Sequence, residues 1–159
     1  MQVLSLAFLA VIALSRWQHI FKGIHSVKRK SWGELFYPIG IGVASLVTAN
    51  KYIFAAAVLN LSLADGLAAL VGLKYGKSHQ YHIGDATKSY VGTVSFVVIS
   101  AIIVGWAVYN LGQTEMVMPA FVIMVVPIAT SVVENVAPLG SDNLFIPLTV
   151  IALLRLVFF

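Results

Sequence analysis

The chain contains no cysteine, so disulfides, thiolate metal sites and cysteine nucleophiles are all excluded. Charge is nearly as scarce. Only 10% of the 159 residues are charged, against 60% hydrophobic residues and a mean hydropathy of +0.94. Soluble domains carry about a quarter charged residues, so this composition belongs in a bilayer. There is no Walker-type glycine loop, no low-complexity tract and no evident repeat, and the longest connection between apolar runs reaches only from Gly76 to Lys88. A soluble catalytic domain is thereby excluded. Any site has to be assembled from helix ends and short loops.

What is present is a series of apolar runs. A spanning helix needs about 20 mostly apolar residues, and the runs at 1–21, 34–50, 52–73, 90–111, 116–134 and 144–159 qualify. They predict an all-α fold, a polytopic membrane bundle of about six transmembrane helices forming a single domain over 1–159. The first run has no basic residue ahead of its apolar stretch and no small-residue cleavage site, so it reads as a retained helix and not as a signal peptide.

The basic residues are Arg16, Lys22, Lys28, Arg29, Lys30, Lys51, Lys74, Lys77, Lys88 and Arg155, and all but Lys51 and Arg155 flank the connections after the first and third runs. Lysine and arginine near helix ends mark the cytoplasmic side. The connections 1–2, 3–4 and 5–6 are therefore expected to face the cytoplasm, with both termini on the opposite side. Three polar segments, 28–34, 74–88 and 134–143, then share one face, and a site at the cytoplasmic ends of the helices follows. Attraction to anionic lipid headgroups, about 1 kcal/mol per residue, competes evenly with a binding role for Lys28, Arg29 and Lys30. A nucleic-acid polymer is not an expected partner.

Asp65 is the best pointer to chemistry. A carboxylate inside an apolar run is costly enough that it usually faces a cavity, an ion or a partner. From it, Ala68, Gly72 and Gly76 follow the three-or-four spacing of one helix face. Taken alone, these small residues read as a helix-packing stripe. Asp65, Lys74 and Lys77 change that weighting, because Lys74 stands about 13 Å along the helix from Asp65, and the stripe connects a mid-membrane carboxylate to a basic mouth. Such a carboxylate can take a proton from a lipid hydroxyl or bind magnesium.

The next segment passes from a polar loop into the fourth run, with Thr87 or Ser89 as the cap. Free N–H groups at the helix start, the helix dipole and Lys88 together suit a phosphate. The alternative is an interfacial lysine beside an ordinary cap. His79 and His82 have a metal-compatible spacing but no third ligand, and read as surface histidines. Glu134 and Asp142 are the acids between the last two runs, and with Asn143 they suit a divalent cation or a ribose. A cap made by Ser141 or Asp142 explains one of these polar groups, but neither Glu134 nor Asn143.

Together these blocks resemble the polyprenol kinase family of phytol, dolichol and CTP-dependent diacylglycerol kinases. The likeness rests on Asp65-x-x-Ala68-x-x-x-Gly72-x-Lys74-x-Gly76-Lys77, on Lys88-Ser89-x-x-Gly92-Thr93, on Glu134 with Asp142-Asn143 and Pro147, and on the upstream Gly33-Glu34-Leu35-Phe36-Tyr37-Pro38-Ile39-Gly40. It covers about 29–148. The resemblance implies transfer of the γ-phosphoryl group of CTP, with Mg2+, to the hydroxyl of a long-chain isoprenoid alcohol or diacylglycerol. It implies triphosphate binding by Lys74, Lys77 and Lys88 among Gly72, Gly76, Ser89 and Gly92. Asp65, Glu134 and Asp142 would share the metal and the activation of the hydroxyl, and Asn143 would orient nucleotide or metal; Asp65, Lys88 and Glu134 form the catalytic set.

Phosphatidate cytidylyltransferases, which also use CTP, are similar in the second and third blocks. Val91 stands where those enzymes commonly carry glutamate, and their long C-terminal signature has no counterpart here. CDP-alcohol phosphotransferases share only the opening Asp65-Gly66. The chain also departs from the kinases. It is short and lacks a clear Arg-Lys-x-x-His block, which implies that one or two N-terminal helices of the family are missing, as in a minimal member, a fragment or an inactive relative. A small transporter, with Asp65 and Glu134 along an ion path, and a non-catalytic subunit remain the rivals from other classes. Six short helices could also form a homodimer to complete a pocket.

Overall fold

A computed structural model of the chain describes residues 32–84, 86–112 and 117–159. The run expected at 1–21 lies outside them, as do Arg16, Lys22, Lys28, Arg29, Lys30, Asp85 and Glu115. The described chain forms helix α1 (Gly33–Val47), helix α2 (Lys51–Tyr75), strands β1 (Gln80–Ile83) and β2 (Ala86–Ser89), helix α3 (Tyr90–Asn110), helix α4 (Val117–Val136) and helix α5 (Asp142–Phe158).

Among the described residues three helices are long and apolar enough to cross a membrane: α2, α3 and the Pro119–Val136 part of α4. Helix α1 has 15 residues and α5 has 17. At 1.5 Å per residue they reach about 22 and 25 Å, short of the ~30 Å hydrocarbon core. The expected all-α architecture also needs an amendment. The segment read as a polar loop is an antiparallel hairpin, pairing Gln80 with Ser89, Tyr81 with Lys88, His82 with Thr87 and Ile83 with Ala86. Its turn begins at Gly84, whose φ of +54° is the positive value that a two-residue hairpin connection demands.

Local chemistry sets the helix starts. Asn50 caps α2, its side-chain oxygen accepting from the N–H groups of Tyr52 (2.9 Å) and Ile53 (3.3 Å). Of the two expected caps for α3, Ser89 fills the role, accepting from Gly92 N–H at 3.1 Å. At α5 the Ser141 hydroxyl donates back to the Pro138 carbonyl (2.8 Å), while the Asp142 carboxylate accepts from Asn143 N–H (3.0 Å). Helix α2 changes its winding midway. A π-helical turn spans Asn60–Ala64, and the Asp65 N–H reaches five residues back to the Asn60 carbonyl.

The core lies where α2, α3 and α5 face one another. On α2 it is built from Ile53, Ala56, Ala57, Leu61, Ala64 and Ala68, packed against Phe96, Val104 and Ala107 of α3 and Ile146, Val150 and Leu154 of α5. Lipid is as apolar as these side chains, so small residues that allow close van der Waals contact hold such a bundle together. The large residues Leu70, Leu73, Val94, Val98 and Ile102 point outward, as lipid-facing residues should.

The polar segments converge at one end of the bundle as expected. Trp32 N–H donates to the Leu139 carbonyl (2.8 Å), and Asn143 Nδ2 donates to the Gly33 carbonyl (3.0 Å), tying the start of α1 to the α4–α5 connection. The hairpin joins the same end through Tyr81 and Lys88. At the other end Arg155 donates to the Val47 carbonyl at 2.8 Å, satisfying an orphan acceptor of the last turn of α1.

Candidate active site

Strand alternation decides what the hairpin presents. Tyr81 and Lys88 are cross-strand partners on its half-buried face, whereas Gln80, His82 and Thr87 are exposed. His79 is exposed too, and its Nδ1 shares a hydrogen bond with the Ser78 hydroxyl. The two histidines are surface groups, in agreement with the sequence.

Two ties fasten the inward face to the C-terminal turn of α4. The Lys88 ammonium pairs with the Glu134 carboxylate and also reaches the Glu134 backbone carbonyl at 3.3 Å. That carbonyl belongs to the negative end of the α4 dipole, which favours a cation. The Tyr81 hydroxyl donates to Asn135 Oδ1 at 2.6 Å, and with its own proton so committed it accepts from the Thr93 hydroxyl of α3. The Tyr81 ring packs on Tyr90 with centroids 4.8 Å apart. Tyr81→Phe keeps that ring contact and removes both hydrogen bonds. At about 1 kcal/mol each, the variant is expected to lose about 2 kcal/mol, measured as a lowered melting temperature in detergent micelles.

A groove of about 390 Å3 opens beside these ties, within the range of small-molecule sites, about 300–1,000 Å3. Helix α2 contributes Ala68, Ala69, Gly72 and Leu73, and the turn after it Lys77; the hairpin contributes Gln80, Thr87, Lys88 and Ser89; α3 contributes Gly92 and Thr93, and α4 contributes Glu134. One wall is thus small and apolar and the mouth is cationic. The wall exists because α2 and α3 cross very closely. A Cβ at Gly92 would stand 3.1 Å from the Ala68 carbonyl and 3.3 Å from Gly72 Cα.

The acids gather beneath the mouth. Asp65, one turn before Ala68 on α2, is half-buried and lies within electrostatic reach of Asp142, Glu134 and Lys88. Burial pushes the Asp142 carboxyl above the ordinary carboxylate range, against the opposing pull of the Asn143 N–H and of Lys88. Among the described residues no three acids or histidines are grouped closely enough to hold one metal ion. Magnesium asks for less, usually one or two carboxylates completed by water and phosphate oxygens. Asp65 and Asp142, hard oxygen donors that repel each other, fit that requirement, whereas Glu134 is engaged by Lys88.

Of the residues singled out in the sequence, Gly72, Lys77, Lys88, Ser89, Gly92 and Glu134 line the groove, with Asp65 next to it. The others sit elsewhere. Lys74 is exposed with its ammonium 4.9 Å from the Tyr75 ring centroid. Gly76 is buried beneath Ser89, where it permits close packing. Asn143 spends its amide on the Gly33 carbonyl, and its own carbonyl abuts Gly40. The α3 start is also less open than expected for an anion site, because Tyr90 N–H bonds to the His79 carbonyl and Gly92 N–H to Ser89. The roles of Tyr81 and Asn135, and the bond from Tyr81 to the Thr93 of the second block, have no local signature in the sequence, since the hydrogen bonds run across 12 and 54 residues.

No family model matches the chain, and no solved structure matches it. A phytol kinase of Synechocystis sp. is 37% identical over 142 residues, covering 87% of this chain. The chain spans 60% of that relative's length.

Proposed function

The chain belongs to the polyprenol kinase family, and from that premise we propose that it is a CTP-dependent lipid-alcohol kinase acting at the polar end of its bundle. The observation that carries this reading is the groove itself. It joins a cationic mouth to a small-residue wall on a membrane-crossing helix, with a carboxylate one turn deeper. A polar phosphoryl donor and a greasy alcohol can meet there without a soluble domain.

In this mechanism Lys77 and Lys88 hold the triphosphate at the mouth, with Lys74 adding to the positive field outside. The alcohol enters sideways from the bilayer with its tail in lipid, past the exposed Leu70 and Leu73 of α2. Asp65 takes the proton of the acceptor hydroxyl. The alcohol oxygen then forms its bond to the γ-phosphorus as the bond from that phosphorus to the bridging oxygen breaks, and CDP leaves. Such a reaction depends on positioning and charge neutralisation more than on covalent chemistry. Magnesium, held by Asp65 and Asp142 when bound, would neutralise charge on the phosphates. Glu134 acts on Lys88, fixing its ammonium at the mouth until phosphate competes for it. The acceptor is a long-chain isoprenoid alcohol of the phytol, geranylgeraniol or dolichol type, or diacylglycerol. The groove faces the cytoplasm, as the basic residues around it favour.

The test uses purified protein in lipid micelles with magnesium, γ-labelled CTP, and phytol, geranylgeraniol, dolichol or diacylglycerol as acceptor. Labelled lipid phosphate is expected, with ATP a poorer donor. Label that reaches lipid only from α-labelled CTP would point instead to cytidylyl transfer. Absence of both products and of CTP binding would overturn the enzyme reading in favour of a transporter or a non-catalytic subunit.

A further inference from the structure

Two side chains deep in the bundle each keep a polar atom that no group among the described residues satisfies. Asn60 and Ser100 are fully buried, at 0% exposure, and among the described residues neither Asn60 Oδ1 nor Ser100 Oγ has a hydrogen-bond partner. Comparable residues behave differently. Ser62, Ser95 and Thr130 each donate to the carbonyl four residues back at 2.8 Å, the usual recourse of a hydroxyl in a membrane helix. The Ser100 hydroxyl makes no such bond. Asn135 also donates Nδ2 to the carbonyl four residues back, but its oxygen is taken by Tyr81. Asn60 makes the same backbone bond, to Ala56 at 2.9 Å, and its oxygen is left over.

The two orphans stand at one depth. Ala68 and Gly92 meet where the antiparallel helices α2 and α3 cross. From that crossing Asn60 lies a little over two turns back along α2 and Ser100 a little over two turns forward along α3, each about 12 Å further into the bundle. Asn60 opens the π-turn, which packs against α3, and Ser100 sits on the core-facing stripe of α3 between Phe96 and Val104. A π-turn inside an α-helix is a frequent companion of a functional site.

An unsatisfied buried polar atom costs about 1–3 kcal/mol, and the hydrocarbon around the bundle offers no relief. The amide oxygen can only accept, whereas the serine hydroxyl both donates and accepts. The group that satisfies both is a hydroxyl, which gives its proton to Asn60 and accepts the proton of Ser100. Two neutral oxygens are too few for a desolvated cation, and the acceptor-only amide oxygen repels an anion. We propose that Asn60 and Ser100 form an internal binding site for a single hydroxyl-bearing group, the oxygen of either a water molecule or a lipid alcohol. The site stands independently of the phosphoryl-transfer reading, and its test does not measure turnover.

The experiment is a double-mutant cycle on the melting temperature of the purified chain in detergent micelles, run without and with phytol. Ser100→Ala and Asn60→Leu are each expected to lower the melting temperature by a few degrees. The double variant should fall no further than the worse single one, because both side chains hold the same group. A cycle that couples without phytol identifies water as the occupant, and one that couples only with phytol identifies the alcohol. The proposal is overturned where the losses simply add in both conditions, or where Ser100→Ala raises the melting temperature in both, as deletion of a true orphan would. Ser100→Ala removes one oxygen and leaves folding intact, so the sign of its shift decides the matter even where Asn60→Leu fails to fold.

Discussion

On the proposed kinase mechanism, the Lys88→Ala protein is expected to insert and fold, yet to transfer phosphate at least about 100-fold more slowly than wild type, the scale seen when a preorganised charge-stabilising group is removed. Lys88 is the one groove lysine held in place on both sides, by its strand and by Glu134. Its loss also has a structural component, because the Glu134 carboxylate is left beside the α4 terminus without a counter-ion. Breaking a fully buried pair costs about 3–5 kcal/mol. This pair costs less, since the two side chains keep 25% and 11% of their surface exposed. The two components separate in a Lys88→Ala/Glu134→Gln double variant, which removes the unpaired charge. Thermal unfolding should recover toward wild type while labelled lipid phosphate stays at the level of the single variant. Recovery of turnover along with stability would make Lys88 a structural tie only. Asp65→Asn, nearly isosteric, is expected to lose turnover to a similar degree while melting normally, since under the proposed mechanism Asp65 is the acceptor for the hydroxyl proton.

Gly76→Ala should be the most disruptive single-methyl change at the site. A Cβ there would collide with Ser89 Oγ and Cβ and with the Gly72 carbonyl, and none of these is the free end of a flexible side chain. Gly72 and Gly92 meet the same Ser89 hydroxyl from neighbouring positions, at 2.9 and 3.0 Å from their ideal Cβ sites, so Ser89 has no direction in which to retreat. Overpacking of this kind costs about 1–3 kcal/mol, and displacing Ser89 removes the cap of α3, worth about 1 kcal/mol more. A melting temperature lowered by several degrees is expected, together with weaker CTP binding because β2 and Lys88 move with Ser89. An alanine variant that melts and binds like wild type would show that the hairpin can slide, and would count against a rigid phosphate mouth.

The apolar runs foretold the helices well, because length and hydropathy are local properties. The runs at 34–50, 52–73, 90–111, 116–134 and 144–159 correspond to α1 through α5 with boundary shifts of a few residues. The hairpin was passed over, although Gly84-Asp85 is a recognised two-residue turn signal. Its strands, Gln-Tyr-His-Ile and Ala-Thr-Lys-Ser, are too short and too mixed in polarity to stand out beside helices. The polar blocks gather at one end of the bundle, and Gly72, Lys77, Lys88, Ser89, Gly92 and Glu134 do meet at one groove. The resemblance puts Gly76 among the binding residues, and a motif cannot tell which glycines face a ligand and which, like Gly76, pack against another segment of the chain. Nor could it show that Asn143 is anchored to Gly33, a contact across 110 residues. Asn60 and Ser100 stand inside apolar runs of the sequence. A lone amide in an apolar run has the same claim to attention as the aspartate five residues later.

That five-residue interval has a geometric meaning. An α-helix turns each side chain by about 100° from the last, and the wider loop at Asn60–Ala64 resets that count once, in the middle of α2. The helix is therefore two screws of unequal phase joined end to end. The first is indexed to the Ile53–Ala57 packing and the second to the Ala68–Gly72 wall, with Asp65 at the joint. Removing one residue from the joint itself would restore a uniform screw and leave the carboxylate and lysines beyond it facing as they do now, whereas removing one from the regular helix before it would turn them about 100° around the helix axis, away from the groove. The aim of the groove thus resides in how many residues the chain places before Asp65 as much as in which ones they are.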